Sequence, residues 1–167
     1  VMLNEISSVT TADVSADNGV IHIVDAVITL PSVVTFAAAD AATFSELVGA
    51  LTRADQPDYV SVLTTANGTA PAPFTVFAPT NQAFADLYAE LGVAGIDDVD
   101  GAILTATLNT HVVAGANVRA EDLVTGTVAT LGDAVEIDAT TAIITDPNGR
   151  TSQVVVTNVQ AANGVIH

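Results

Sequence analysis

The sequence predicts an α+β domain, because helical and strand patterns occupy different parts of the chain. Apolar residues recur at helical spacing between residues 33 and 110, and short β-branched runs separated by turns follow from residue 124 onward. Helices first and strands second is typical of an α+β fold rather than of a doubly wound one. The chain has 167 residues, of which 50% are hydrophobic, so it can bury one sizeable core.

Apolar spacing predicts five helices, at Val33–Ala39, residues 44–51, Tyr59–Leu63, residues 80–91 and residues 102–110. Residue types that cap helix N-termini stand before three of them. For each of these three helices there are two candidate caps: Asp40 or Thr43, Thr80 or Asn81, and Asp98 or Asp100. A side-chain oxygen at such a position accepts a hydrogen bond from the first turn, which fixes where the helix begins.

Strands are predicted where short apolar or β-branched runs end at turn residues. The first covers residues 74–78 and ends at Pro79. The later predicted strands lie at residues 128–131, 135–139, 142–145 and 153–157. The sequence Asp-Pro-Asn-Gly at residues 146–149 is typical of a turn between two of these strands.

A repeat links the two ends of the chain. Residues 9–22 align without a gap on residues 154–167, and both copies end in Asn-Gly-Val-Ile-His. The separation of the copies is that of a whole domain rather than of a solenoid unit. The Asn-Gly pair in each copy predicts a tight reversal between two apolar runs.

The repeat also predicts how the chain is divided. The first copy continues as an apolar run to Pro31, whereas the second stops at His167. We therefore expect residues 1–31 to be the terminal segment of a preceding repeat or a permuted closing strand. Residues 32–167 are expected to form a domain that lacks its last strand. On this interpretation the strand from Val20 to Thr29 pairs with the main sheet, in cis or in trans.

The charge balance excludes several partners. Three basic residues stand against 19 acidic ones, which gives a formal net charge of -16. That field repels nucleic-acid backbones and anionic lipid surfaces, so neither is an expected partner. The longest apolar stretches end well short of the roughly 18 residues that span a bilayer, and we expect no direct membrane insertion. The acidic excess is typical of a high-salt or calcium-rich exterior.

No residue pattern predicts a catalytic, cofactor or metal site. The chain has no cysteine, no lysine, and no Gly-x-Ser-x-Gly, His-Glu-x-x-His or phosphate-binding glycine motif. Carboxylates are plentiful, so a paired-carboxylate hydrolase stays open as an alternative. Residues 97–101 resemble part of a calcium loop, but Ile96 and Thr107 occupy its first and twelfth ligand positions. Each histidine has an apolar residue beside it in the sequence, and all three are expected to be buried neutral rings: His22, His111 and His167.

Three blocks of the sequence resemble those of one protein family. They are Phe-Thr-Val-Phe-Ala-Pro-Thr-Asn-Gln-Ala-Phe at residues 74–84, Leu-Asn-Thr-His-Val-Val at 108–113, and Val-Gln-Ala-Ala-Asn-Gly-Val-Ile-His at 159–167. In order and spacing they are similar to the signature blocks of fasciclin-type (FAS1) domains, over residues 32–167. The resemblance implies a wedge-shaped β-sandwich with a helical layer on one side. Thr110 stands where the family usually has tyrosine.

The resemblance also implies a function and a site. Fasciclin-type domains are extracellular or surface-anchored modules, often in tandem, that mediate adhesion and matrix contacts without known catalysis. We therefore expect an extracellular or cell-surface module that is not an enzyme, uses no cofactor, and binds an extracellular protein or a matrix component. The middle block places the binding residues at Asn109, Thr110, His111, Val112 and Val113.

Two other functions stay open. A structural polymer would form if the strand from Val20 to Leu30 of one chain completed the sheet of the next, because an unpaired strand edge is a template for association. Binding of carbohydrate or another small ligand is the second, although 4% aromatic residues and no tryptophan leave few stacking platforms. The first alternative predicts self-association, and the second predicts a response to ligand.

Overall fold

The computed structural model describes residues 2–3, 7–28 and 30–167, which fall into two units, Val1–Pro31 and Ser32–His167. The first unit is an antiparallel sheet of order β1-β2-β3, formed by β1 (Met2–Leu3), β2 (Ser7–Ala16) and β3 (Gly19–Val24). A tight turn joins β2 to β3 immediately before Gly19, as the Asn-Gly pair predicts.

The pairing of β3 corrects one prediction. A strand that reaches Thr29 and joins the main sheet in cis is wrong for the described residues, because β3 ends at Val24 and its hydrogen-bonded partner is β2. The carboxylate of Asp25 accepts a hydrogen bond from the backbone N–H of Ser8 at 2.7 Å, and the chain bends here. Thr29 itself lies outside the described residues. Pairing in trans stays a prediction.

The second unit contains the five helices that the apolar spacing predicts. They are α1 (Val33–Ala39), α2 (Ala41–Thr52), α3 (Tyr59–Leu63), α4 (Asn81–Leu91) and α5 (Gly101–Thr110). Each follows a residue whose side-chain oxygen accepts a backbone N–H of the first turn: Ser32, Asp40, Asp58, Thr80 and Asp100. These oxygens satisfy donors that a helix start otherwise leaves unpaired, and they fix where each helix begins. Because Asp40 is the cap, α2 begins at Ala41, three residues before the predicted start at residue 44.

Eight short strands complete this unit: β4 (Phe74–Val76), β5 (Val112–Ala114), β6 (Gly126–Val128), β7 (Val135–Asp138), β8 (Ile143–Thr145), β9 (Thr151–Gln153), β10 (Val159–Ala161) and β11 (Gly164–Ile166). The first sheet has the order β10-β11-β4-β5, in which β11 and β4 are parallel and the other pairs antiparallel. The second sheet is an antiparallel meander of order β6-β7-β8-β9.

The strand predicted at residues 128–131 is displaced toward the N-terminus. β6 ends at Val128, because Thr130 takes part in a turn. Its hydroxyl donates to the carbonyl of Asp133 at 2.7 Å and accepts the N–H of Gly132 at 3.0 Å. The β-branched residue type therefore serves a side-chain turn here rather than a ladder.

The strand predicted at residues 153–157 is displaced in the same direction. β9 ends at Gln153, whose side-chain amide donates to the carbonyl of Thr141 at 2.9 Å. Val155 and Val156 lie beyond the strand and are 79% and 59% exposed. Their β-branched side chains match strand propensity, but no neighbouring strand pairs with them in this unit.

Alternating side chains of β5 place the two sheets and the helices in layers. Val112 packs with Ile166 and with the helices, on one face of the first sheet. Val113 points to the other face and packs with Val135 and Ile137 of β7. The unit is therefore a β-sandwich with a helical layer on one side, which confirms the predicted fold class.

Candidate binding site where three sequence blocks meet

The three sequence blocks come together around β4. The first block supplies β4 itself, the middle block supplies β5, and the last supplies β10 and β11. Just beyond β4, the N–H of Phe77 donates to the carbonyl of His111 at 2.9 Å, and that of Ala78 donates to the carbonyl of His167 at 2.8 Å. The blocks therefore share one continuous hydrogen-bonded sheet.

The polar residues of the predicted binding block make contacts within the unit. The side-chain carbonyl of Asn109 accepts the hydroxyl of Tyr59 at 2.9 Å. The hydroxyl of Thr110 donates to the carbonyl of Ala106 at 2.9 Å. Asn109 also borders an open groove whose other lining residues are Ala102, Thr105, Ala106, Gly132 and Asp133. This groove is where the block meets solvent.

The other three residues of the block have packing roles. Val112 and Val113 are buried in the two cores. His111 borders a small apolar cavity of about 30 Å³ beneath α1, and its Nδ1 lies 2.7 Å from the carbonyl of Thr107, which can only accept. Burial lowers the pKa of His111 below its usual 6.5, so the ring is neutral. A binding role for the whole block stays a prediction.

The remaining histidines differ from each other. The ring of His167 stacks on Phe77 with centroids 5.8 Å apart, and its Nε2 donates to the carbonyl of Val118 at 2.9 Å. The side chain of His22 is 51% exposed. The prediction of a buried ring is therefore confirmed for His111 and wrong for His22, because the first unit provides no layer that covers it.

Asn163 has a role that the spacing of residues in the sequence does not show. This side chain is only 2% exposed, and its oxygen accepts the N–H of Val33 at 3.1 Å. Its amide donates to the carbonyls of Leu63 at 2.7 Å and Thr65 at 2.9 Å. Asn163 therefore ties the last hairpin to the start of α1 and the end of α3. The recurrence of Asn-Gly-Val-Ile-His was the signal that marked it.

Gly164 is a second residue whose role the sequence does not show. A Cβ placed there would overlap the carbonyl oxygen of Phe74. No side chain fits so close to the backbone, so β11 approaches β4 only because this residue is glycine.

The three arginines of the chain are paired with carboxylates. Arg53 contacts Asp55 at 2.6 Å, Arg119 contacts Glu121 at 3.7 Å, and Arg150 contacts Asp146 at 2.6 Å. The remaining acidic residues therefore set the sign of the surface field. In the described part of the chain, no three His, Asp or Glu side chains come together as a metal site would require.

Two neighbouring loops expose large apolar side chains. We call residues 119–124 and 154–158 the exposed-valine loops, after Val124, Val155 and Val156, which are 78%, 79% and 59% exposed. Asn158 joins the loops, since its side-chain oxygen accepts the N–H of Ala120 at 2.8 Å. Its amide also donates to the carboxylate of Glu121 at 2.8 Å.

The family follows from one comparison. A family model described as the fasciclin domain matches residues 42–167. The chain belongs to the fasciclin domain family. The match includes the three blocks, the sandwich and most of the helical layer.

Several relatives support the assignment. The chain is 32% identical over 139 residues to the uncharacterized protein sll1735 of Synechocystis, covering 83% of this chain and 93% of that protein. It is 31% identical over 169 residues to a fasciclin-like arabinogalactan protein of Arthroderma benhamiae, covering 99% of this chain and 35% of that protein. It is 36% identical over 127 residues to protein sll1483 of Synechocystis, covering 75% of this chain and 63% of that protein.

A solved structure shares the fold. It is a FAS1 domain pair from the insect cell adhesion molecule Fasciclin I, with a TM-score of 0.64 and 19% identity. The match covers 96% of this chain and 57% of that one. Within residues 2–3, 7–28 and 30–167, no helix has the length and hydrophobicity that crossing a membrane requires.

Proposed function

We propose that this fasciclin domain is an extracellular or cell-surface adhesion module that binds a protein or a matrix component and catalyses no reaction. The observation that carries the proposal is the shared fold with a domain pair of an insect cell adhesion molecule. A fold supports many functions, so the binding surface is argued from this chain's own residues.

The exposed-valine loops are the surface we assign to partner binding. Exposed clusters of large apolar side chains commonly mark protein interaction sites. In the repeat alignment, Val155 and Val156 correspond to Thr10 and Thr11 of the first copy, which are also exposed. The hairpin therefore forms with threonine at these positions, and the two valines are not needed for its folding.

The histidines support a non-catalytic function. The Nδ1 of His111 and the Nε2 of His167 are each held by a backbone carbonyl. A general base needs a ring nitrogen that reaches the substrate and a pKa near the working pH. The ring of His111, which burial keeps neutral and whose Nδ1 is held within the unit, is better suited to a structural role.

Bead adhesion tests the proposal. Beads that carry the full chain are passed over surfaces coated with the same chain, with an extracellular matrix protein extract, or with albumin. We expect several-fold more beads on one of the first two surfaces than on albumin. The V155T/V156T variant should lose most of this excess while it keeps the wild-type circular dichroism spectrum.

A matched control separates the loops from general surface hydrophobicity. Val60 and Val62 are partly exposed on α3, a different element of the unit. V60T/V62T makes the same chemical change, and its beads should adhere as wild type does. Adhesion no greater than on albumin would overturn the function, and equal losses in both variants would overturn the assigned surface.

A further inference from the structure

The two copies of the repeat fold into the same hairpin. In the first copy β2 pairs with β3, and in the second β10 pairs with β11. The registers coincide at every aligned pair: Val14 with Ile21 and Val159 with Ile166, Ser15 with Val20 and Gln160 with Val165, Ala16 with Gly19 and Ala161 with Gly164.

The likeness extends to a bend in the backbone. Asp13 and the aligned Asn158 both have positive φ, at 57° and 62°. In each copy the N–H of this residue donates to the Nδ1 of the copy's own histidine, at 3.1 Å to His22 and 3.4 Å to His167. The hairpin therefore has the same local structure whether or not other elements cover it.

Only the second copy is covered. We call its surroundings the hairpin slot: the edge of β4, the start of α1, the end of α3 and the ring of Phe77. The slot buries Val165 and Ile166 almost completely. The aligned Val20 and Ile21 of the first copy are 58% and 54% exposed.

Gly19 is the residue that points to a partner. A Cβ at Gly19 would meet nothing within 4 Å, and its φ is not positive, so the hairpin alone does not require glycine there. In the hairpin slot, glycine is required at the aligned Gly164 by the carbonyl of Phe74. The first copy therefore carries the residue that the slot demands and the hairpin does not.

We propose that the β2–β3 hairpin is a docking element that fits the hairpin slot of a fasciclin domain whose slot is free. Its partner supplies a strand edge parallel to Gly19–Val24, two carbonyls and one N–H for Asn18, and an aromatic ring for His22. This docking shares residues 20–24 with the strand exchange through Val20 to Leu30 but uses a different site, the edge of β4, and it does not depend on the adhesion proposal.

A double-mutant cycle at Gly19 and Gly164 in the full chain tests whether the β2–β3 hairpin docks in the hairpin slot. G164V forces β11 away from β4 and frees the slot, whereas G19V changes an open position. Urea unfolding is followed by tyrosine fluorescence, because both tyrosines, Tyr59 and Tyr88, lie in the Ser32–His167 unit. We expect G19V to unfold as wild type does and G164V to keep a cooperative transition at a lower urea midpoint. G19V/G164V should lose the transition.

Non-additivity is the deciding result. If β2–β3 enters the freed slot, G19V alone leaves the urea midpoint unchanged, whereas G19V combined with G164V abolishes the unfolding transition. Light scattering then shows which slot is filled: a monomer mass means the slot of the same chain, and larger masses mean a second copy. Both outcomes support the proposal. Equal midpoints for G164V and G19V/G164V would overturn it, and if both variants are completely unfolded the N163A cycle below decides.

A milder cycle covers the case in which G164V disrupts the unit for other reasons. N163A removes the contacts to α1 and α3 without a backbone clash. If the hairpins exchange, N18A should lower the urea midpoint in the N163A background and leave it unchanged in wild type. An N18A that is silent in both backgrounds would contradict docking.

Discussion

The β2–β3 and β10–β11 hairpins share register, bend and final five residues, yet one is exposed and the other lies at the centre of a domain. Val20 and the aligned Val165 differ by more than half of their accessible surface. Local sequence therefore determines the hairpin, whereas burial depends on the elements that pack against it. Asn-Gly-Val-Ile-His is therefore both a turn sequence and a packing sequence.

The largest expected effect on the free energy of unfolding comes from Phe74 in β4, which borders the hairpin slot. Phe74 is fully buried beside β11, so F74A should lower the free energy of unfolding by about 4 kcal/mol, the cost of a large cavity in a core. V20A, on the exposed hairpin, should change it by less than about 0.5 kcal/mol. Urea unfolding monitored by tyrosine fluorescence measures both. Similar losses for the two variants would mean that both hairpins are packed in solution.

Replacement of Asn163 should have an intermediate effect on the free energy of unfolding. In the N18A background, where the first hairpin offers no replacement amide, N163A should cost about 2 kcal/mol. It leaves one backbone N–H and two carbonyls of the slot without their partner. N18A alone should change the free energy of unfolding by less than about 0.5 kcal/mol. An unchanged midpoint in N18A/N163A would show that the buried contacts contribute nothing.

The smallest expected effect is the pH dependence of the unfolding free energy that His111 causes. Burial lowers the pKa of His111, so below pH 6.5 the unfolded chain binds a proton that the folded chain does not. Unfolding free energy of the Ser32–His167 unit should therefore fall as pH drops from 7.5 to 5.5, by at most about 1.4 kcal/mol per pH unit from this group. H111Q should flatten the slope. An identical slope in H111Q would assign the pH dependence to other groups.

Hydrogen exchange of the backbone amides of β2 and β3 provides a control for the pH experiment. His22 on the first hairpin is exposed, so the local opening of β2 and β3 should not follow the His111 titration. Parallel changes in both units would contradict the independence that the comparison assumes.

Helices were predictable because their starts are encoded next to them. Asp40, Thr80 and Asp100 were each one of two candidates, and each caps the helix that follows. The alternative Asn81 has a different role, since its side-chain oxygen accepts the N–H of Glu46 at 2.9 Å and links α4 to α2. That contact joins residues far apart in sequence, which local patterns do not report.

Strand ends and the site were less predictable for the same reason. Val155 and Val156 have strand propensity but leave the sheet, because propensity does not specify where a partner strand ends. The block from Asn109 to Val113 marks the position of β5 correctly, yet its packing in two cores depends on elements elsewhere in the chain. The contacts of Asn163 span much of the domain and are invisible to spacing.

The bond between Asn163 and Val33 joins residues separated by 130 positions. During translation, α1 and β4 leave the ribosome long before β11. The helices are therefore synthesised before the strand that pairs with β4 is available. Contacts of such long sequence separation slow folding and prolong the exposure of apolar surface. The β2–β3 hairpin, with matching register and the same final five residues, is synthesised before α1 and β4. A hairpin with the structure of β10–β11 is thus synthesised before the domain in which β10–β11 is buried.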